Sequence, residues 1–163
     1  MADENHSFAG LDPLSAASLH VVLGMNNGLA TFYEEFGAHF HPNFRWMGNY
    51  GCGTKKNLQA FIDHWVVPFR AAFSDRQYIN ERFLAQGEWV SCFGRQEAIH
   101  SGTFMGVAAT GKRVKVPYMD FWQVRDGKII DNWVSVDFAS VLAQLGVDVF
   151  NGEGWERFDR AGS

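Results

Sequence analysis

Apolar residues recur at helical spacing in the first half of this chain and alternate at strand spacing in the second half. A first helix is predicted over residues 14–23, with Asp12 as its N-cap. A second helix is predicted over residues 29–40, and a third over residues 55–72. Helix breaks are expected at Asn26-Asn27-Gly28, at His41-Pro42-Asn43 and at Pro68, and Thr54 is expected to cap the third helix.

The pattern changes to the alternation of β-strands after residue 75. Tight turns are predicted at Gln86-Gly87-Glu88 and at Asp126-Gly127, and a glycine-rich connection over residues 103–113. A short helix over residues 138–145 should end at Gly146, where glycine allows the chain to leave the helix. The predicted strands cover residues 44–47, 76–85, 89–100, 114–125 and 128–137.

Helices followed by a run of strands predict an α+β domain. A curved antiparallel sheet wrapped around the N-terminal helices would form a cone with one blind cavity. We expect a single domain over residues 1–146, which includes a loose N-terminal arm over residues 1–11. Residues 147–163 are expected to form a C-terminal tail.

Composition narrows the class of protein. The formal net charge of −4 argues against nucleic acid as the main partner. No run approaches the roughly 18 apolar residues of a membrane span, the N-terminus is unlike a signal peptide, and two cysteines are too few for a disulfide framework. A cytoplasmic protein is therefore expected. The aromatic content of 15% suits a pocket for an apolar or ring-containing ligand, although rings equally suit a core.

Asp120 is the main candidate for chemistry, because Asp is uncommon in strands and this one has aromatic neighbours. Burial among rings would raise its pKa toward the value that a general acid/base needs. A two-residue turn at Asp126-Gly127 would place Asp120 opposite Trp133. The alternative is a structural carboxylate satisfied by a partner. Alternation puts Tyr118, Trp122, Trp133 and Asp137 on the face of Asp120, and Met119, Phe121, Ile130 and Val134 on the opposite face.

Histidines, cysteines and a second carboxylate offer other candidate sites. His39 and His41 diverge at the predicted helix end, and together with His64 they do not make the convergent set that zinc needs, so no metal is expected. Cys52 has no visible His–Asp pairing that would make it a nucleophile. Water activation by Asp120 together with Arg95 and Asp137 is a further alternative. Arg95 and His100, however, fall on opposite faces of one strand.

The strand half of the chain resembles the SnoaL-like polyketide cyclases of the nuclear transport factor 2-like superfamily, which also includes ketosteroid isomerase and limonene epoxide hydrolase. The resemblance covers roughly residues 15–146. It rests on residues 100–114 (His-Ser-Gly-Thr-Phe-Met-Gly-Val-Ala-Ala-Thr-Gly-Lys-Arg-Val), Asp120 to Ile129, Asn132-Trp133 and Leu142 to Gly146.

The resemblance implies a role for Asp120 as the acid/base of an intramolecular aldol closure, with His100 close to it and assisting. It also implies a dimer formed through the sheet, which agrees with the apolar outward face. Three positions depart from the family pattern: Ala109 replaces a proline, Gln123 an arginine and Asn132 a histidine.

The sequence therefore predicts a small cofactor-independent enzyme, an isomerase or lyase, that transfers a proton next to a carbonyl by aldol cyclisation or isomerisation. The rival interpretations are a non-catalytic ligand-binding module and water activation like that of limonene epoxide hydrolase. The expected partners are an apolar or aromatic small molecule and a second copy of the chain. The predicted substrate-binding residues are Trp46, Asn49, Tyr50, Trp65, Phe69, Tyr118, Trp122 and Trp133.

Overall fold

The computed structural model describes the backbone of residues 8–31 and 37–150, and the side chains of residues 8–28 and 37–150. The first helix, α1 (Pro13–Thr31), is longer than predicted. Asp12 caps it, because its carboxylate accepts hydrogen bonds from the backbone N–H groups of Leu14 (3.0 Å) and Ser15 (3.1 Å). The helix continues through Asn26-Asn27-Gly28, so the break expected there was wrong.

The second predicted helix was wrong at its C-terminal end. A 3-10 turn (Gly37–His39) leads directly into strand β1 (Phe40–Gly48). His41-Pro42-Asn43 is therefore inside a strand, and the part of this prediction over residues 32–36 lies outside the described residues. The strand predicted over residues 44–47 is confirmed and is longer than expected.

The third helix begins later than predicted, because Thr54 belongs to the short strand β2 (Thr54–Lys55). Asn57 is the true cap, and its side chain accepts a hydrogen bond from the backbone N–H of Ala60 (2.8 Å). The helical segment consists of α2 (Leu58–Phe61), one π-helical turn (Ile62–Val66) and α3 (Val67–Ala72). Pro68 lies in the first turn of α3, where a missing N–H costs little.

Four long strands and one helix complete the described part of the fold, close to the predicted bounds. They are β3 (Phe73–Gln86), β4 (Trp89–His100), β5 (Arg113–Arg125), β6 (Lys128–Val136) and α4 (Phe138–Gln144). At Asp126 and Gly127 φ is positive, at 50° and 70°, as the predicted hairpin turn requires. Gly146, with a φ of 96°, follows α4 as expected.

The strands form one curved, unclosed sheet in the order β2-β1-β6-β5-β4-β3. The prediction of an α+β fold with a curved sheet against helices is confirmed. The expectation of a fully antiparallel sheet was wrong at one pair, because β1 runs parallel to β6. Two register shifts between β3 and β4 add local bends that help the sheet curve over the helices.

A further register shift corrects the predicted pairing of β5 with β6. Gln123 pairs with Asp131 and Val124 pairs with Ile129, so Ile130 is an extra residue. Asp120 consequently lies opposite Val134 and not Trp133. No helix in the described ranges is long and apolar enough to cross a membrane.

Candidate active site

A cavity lies between the concave face of the sheet and the helices. Its volume is about 110 Å³, several times the ~10–15 Å³ that holds one water, so side chains do not fill it. One side of it is a series of rings from β1 and the helical segment. Ring centroids are 4.9 Å apart between Trp46 and Trp65 and 5.2 Å between Trp65 and Phe69. This geometry suits a flat, largely apolar ligand.

Asp120 projects into this cavity from the middle of β5. Burial raises the pKa of its carboxyl group to about 7, and a hydrogen bond from Asn132 partly opposes that rise. The amide Nδ2 of Asn132 donates to Oδ1 of Asp120 at 2.8 Å. Asp120 is therefore a carboxyl group that can both take and return a proton near neutral pH.

The extra residue Ile130 determines which β6 side chain assists Asp120. In the predicted register Trp133 would face the cavity, whereas in the structure Asn132 pairs with Trp122 and lines it. Asn132 is buried, and its amide also donates to the backbone carbonyls of Phe121 (3.3 Å) and Trp133 (3.4 Å). These contacts fix the amide in place. The resemblance marked Asn132 only as a departure from a histidine, and the predicted register did not place it beside Asp120, where its amide donates a hydrogen bond.

Cys92 and Tyr118 form a polar cluster beside Asp120. Cys92 pairs with Asp120 across the strands, and burial, followed by the Asp120 charge, raises the pKa of its thiol strongly. The thiol stays protonated and donates to the Asn80 side-chain oxygen at 3.6 Å. That same oxygen accepts a hydrogen bond from the Tyr118 hydroxyl at 2.6 Å. The cluster holds Tyr118 against the cavity wall.

The cavity has a second polar region, away from Asp120. Arg70 on α3 and Arg76 on β3 both line the cavity, together with Tyr78 and Gln96. Burial, followed by the charge of Arg70, lowers the pKa of Arg76. Burial raises the pKa of Tyr78, so its hydroxyl remains a hydrogen-bond donor. No motif indicated this group, because two arginines six residues apart across a helix–strand junction form no periodic pattern.

His100 does not lie beside Asp120, so the expected proximity was wrong. Asp120 pairs with Cys92, and His100 is eight residues further along β4, opposite Phe73. The imidazole is fully buried, and its Nδ1 lies 3.1 Å from the Thr110 hydroxyl. Its Nε2 has no hydrogen-bond partner among the described residues. His100 is absent from the lining of the cavity that contains Asp120.

Three of the predicted substrate-binding residues also lie outside the cavity. Asn49 links β1 to β6, because its side chain bonds both the backbone N–H and the carbonyl of Val136. Tyr50 is fully exposed, and Trp133 is 51% exposed on the outer face of the sheet. Val134 was predicted to face outward and instead lines the cavity. The predicted residues that do line it are Trp46, Trp65, Phe69, Tyr118 and Trp122.

The alternative chemistries do not assemble in the described structure. Arg95 forms ion pairs with Glu81 and Glu97 outside the cavity. The carboxylate of Asp137 caps α4 by accepting from the N–H of Ser140 at 2.9 Å. Burial raises the pKa of the Cys52 thiol to about 11, so it is a poor nucleophile. Within residues 8–31 and 37–150, no group of three or more His, Cys, Asp or Glu side chains is placed to hold a metal ion.

The sequence of this chain is similar to those of known proteins. The family model of the SnoaL-like polyketide cyclases matches residues 26–145. Aklanonic acid methyl ester cyclase DnrD from Streptomyces peucetius is 30% identical over 95 residues, which cover 55% of this chain and 63% of the cyclase. The chain thus spans less than two thirds of the length of this curated relative.

Solved structures agree on the fold. A protein from Jannaschia sp. CCS1, described as SnoaL-like, superimposes with a TM-score of 0.74 at 17% identity, over 85% of this chain and 96% of that one. AclR from Streptomyces galilaeus gives a TM-score of 0.72 at 20% identity, over 91% of each chain. IdmH from Streptomyces antibioticus gives 0.69 at 22% identity, over 80% of this chain and 99% of that one. At these identities the likeness shows a shared fold.

Proposed function

The chain belongs to the SnoaL-like polyketide cyclase family, and we propose that it is a cofactor-independent enzyme that transfers a proton next to a carbonyl group. The reaction would be an aldol cyclisation, or a related isomerisation, of a flat and largely apolar small molecule. The observation that carries this proposal is the carboxyl group of Asp120, whose pKa is raised to about 7 inside an aromatic cavity. Near that pH, substantial amounts of both protonation states are present.

The proposed steps need no group other than Asp120 to transfer the proton. The carboxylate removes a proton from the carbon next to a substrate carbonyl, and the C–H electron pair delocalises onto that oxygen as an enolate. The enolate carbon then attacks a second carbonyl of the same molecule and forms the new C–C bond. Asp120, now protonated, returns its proton to the resulting alkoxide. No atom is gained or lost, so the product is an isomer of the substrate.

Other cavity groups have supporting roles in this proposal. Asn132 orients Asp120 through its 2.8 Å hydrogen bond and restrains the rise in pKa. The rings of Trp46, Trp65 and Phe69 would hold the substrate in a compact fold, so that its two reacting carbons approach each other. A family resemblance alone would not justify this chemistry, because this fold hosts several activities. The Asp120 environment supports it independently.

We also propose that the protein is a homodimer formed through the outer face of its sheet. Six exposed apolar side chains lie there, within a few strand positions of one another; we call them the outer apolar face, and they are Leu84, Trp89, Phe93, Met119, Phe121 and Trp133. A large exposed apolar area of this kind is typical of an interaction surface. We further propose a cytoplasmic location, since Cys52 and Cys92 are both free thiols.

Replacement of Asp120 by Asn tests the proposed function. Aromatic polyketide precursors with two suitably spaced carbonyls would be supplied, and cyclised product would be measured by chromatography and mass spectrometry. Turnover should fall at least about 100-fold in D120N, because general acid/base catalysis typically contributes that much. Asp63→Asn, at an exposed helical position, should leave the rate unchanged.

Two results would contradict the proposal. Full turnover in D120N would remove Asp120 from the mechanism. Tight binding of these precursors without turnover by the wild-type protein would favour a ligand-binding module that uses the same cavity.

A further inference from the structure

The charged side chains that line the cavity are mostly positive, whereas the whole chain carries a negative net charge. The chain carries a formal net charge of −4, yet the charged residues lining the described cavity are two arginines and one aspartate. Arg70 and Arg76 line the cavity from different elements, α3 and β3, and are close enough for the charge of Arg70 to lower the pKa of Arg76. Like charges that are partly buried together repel each other, and an anion between them would relieve that repulsion.

Arg76 and Gln96 both have hydrogen-bonding capacity that the described residues do not use. One of the five guanidinium N–H donors of Arg76 is taken by the carbonyl of Phe73 at 2.7 Å. Gln96 is only 2% exposed, and its side-chain oxygen has no hydrogen-bond partner among the described residues. A buried amide oxygen without a partner is costly unless water or a ligand satisfies it. The Gln96 side chain also forms a hydrogen bond with Tyr78, and its oxygen is an acceptor, independent of the arginines, that a polar ligand group can use.

The strand register separates this end from Asp120. Asp120 pairs with Cys92, whereas Tyr78 pairs with Gln96, four residues further along β4. Four strand residues span about 13 Å. Tyr78 belongs to the polar end, and the charges of Arg76, Arg70 and Asp120 all act on its hydroxyl. The polar end and the proposed acid/base would thus contact opposite ends of one ligand.

We infer that Arg70, Arg76 and Gln96 form an anion subsite that selects substrates bearing a free carboxylate, with a neighbouring hydroxyl directed to the Gln96 oxygen. This inference rests on the proposed function only in treating the ligand as a substrate, since the subsite itself does not require catalysis. The substrate class is then an aromatic or polyketide acid, with the acid group at the opposite end of the molecule from the carbon that Asp120 deprotonates.

Binding of a matched pair of probes tests the subsite. 3-Hydroxy-2-naphthoic acid carries the carboxylate and the adjacent hydroxyl on a flat bicyclic ring, and its methyl ester lacks only the charge. Isothermal titration calorimetry should show that the wild-type protein binds the acid about 10–100-fold more tightly than the ester, as charge-assisted hydrogen bonds typically provide. This preference should fall at least about 10-fold in Arg76→Gln and in Arg70→Gln.

The control is Arg82→Gln, because Arg82 is exposed and lies opposite Phe93 of the outer apolar face; it should keep the wild-type preference. Unchanged melting temperatures would show that the variants fold. Equal affinity for acid and ester in the wild-type protein, failure of the acid to bind at millimolar concentration, or an undiminished preference in Arg76→Gln would each overturn the subsite. Measurement in D120N separates the two proposals, since acid preference there supports the subsite whether or not Asp120 catalyses.

Discussion

At the scale of single residues, the environment of Asp120 has opposite consequences for activity and stability. A carboxyl group with a folded pKa of about 7 and an ordinary value of 3.8 holds its proton more tightly in the folded state. The folded state therefore binds more protons than the unfolded state between about pH 4 and pH 7. The contribution of Asp120 to the free energy of unfolding falls as pH rises through that window. Above the window Asp120 is ionised in both states, and the loss of stability from burying its charge is at its largest.

Asp120→Asn should therefore stabilise the protein at high pH while abolishing turnover. Its gain in unfolding free energy at pH 8 should exceed its gain at pH 5 by about 3 kcal/mol, because the window from pH 5 to pH 7 spans two pKa units at roughly 1.4 kcal/mol each. Tyr78 and Cys92 stay neutral in this range because burial raises their pKa values. Urea unfolding at both pH values measures the difference. Equal gains at both would show that Asp120 has an ordinary pKa.

The contact between Asn132 and Asp120 makes a second prediction at this scale. Asn132→Leu removes the hydrogen bond that lowers the pKa of Asp120, so the acidic limb of the pH–rate profile should move up by about 1 unit. Asn43→Leu, at an exposed position in β1, should leave the profile in place. A uniform loss of rate without a shift along the pH axis would assign Asn132 a purely structural role.

At the scale of elements, the hydrophobic pattern located the strands well but missed the irregularities that decide the site. β4 was predicted at its observed bounds, because alternation and tight turns mark it clearly. The extra residue Ile130 carries no comparable mark, since it is another β-branched residue in a strand of such residues. That one residue moved Trp133 outward and Asn132 inward. The π-helical turn at Ile62–Val66 and the parallel pairing of β1 with β6 were missed for a similar reason, because both depend on tertiary contacts.

The hairpin turn between β5 and β6 can be tested through its two residues. Gly127 has a φ of 70° and no atom near the position of an added Cβ, so Gly127→Ala should cost about 1 kcal/mol from backbone strain alone. Asp126 has a φ of 50°, and Asp126→Gly should be neutral or slightly stabilising. Thermal unfolding measures both. Equal effects of the two substitutions would contradict the assigned turn geometry.

At the scale of the whole molecule, the family and the fold could be predicted from the sequence, whereas the residues that line the cavity could be predicted only in part. Asp120 and five aromatic residues were placed correctly, since a strand pattern and ring content suffice to find them. His100, Asn49 and Tyr50 were not, because their positions depend on sheet curvature and loop path. Arg70 and Arg76 come together only through packing of α3 against β3.

The outer apolar face leads to a prediction about the association state of the protein. Phe121→Asp should convert a dimer into a monomer, because it would bury a charge at the centre of the proposed interface. Val67→Asp, at an exposed apolar position on α3, should leave the association state unchanged. Sedimentation velocity at micromolar concentration measures both. A monomeric wild-type protein would refute the proposed interface.

The parallel pairing of β1 with β6 also governs the order in which this protein can assemble. The ion pair of Arg45 with Asp131 joins residues 86 positions apart. Such contacts form slowly, because closing the long intervening loop costs conformational entropy before the favourable contacts form. During synthesis, β1, which carries Trp46, cannot pair with β6 until β6 has left the ribosome. A nascent chain halted before Val136 would therefore expose the aromatic rings that line the cavity in the folded protein.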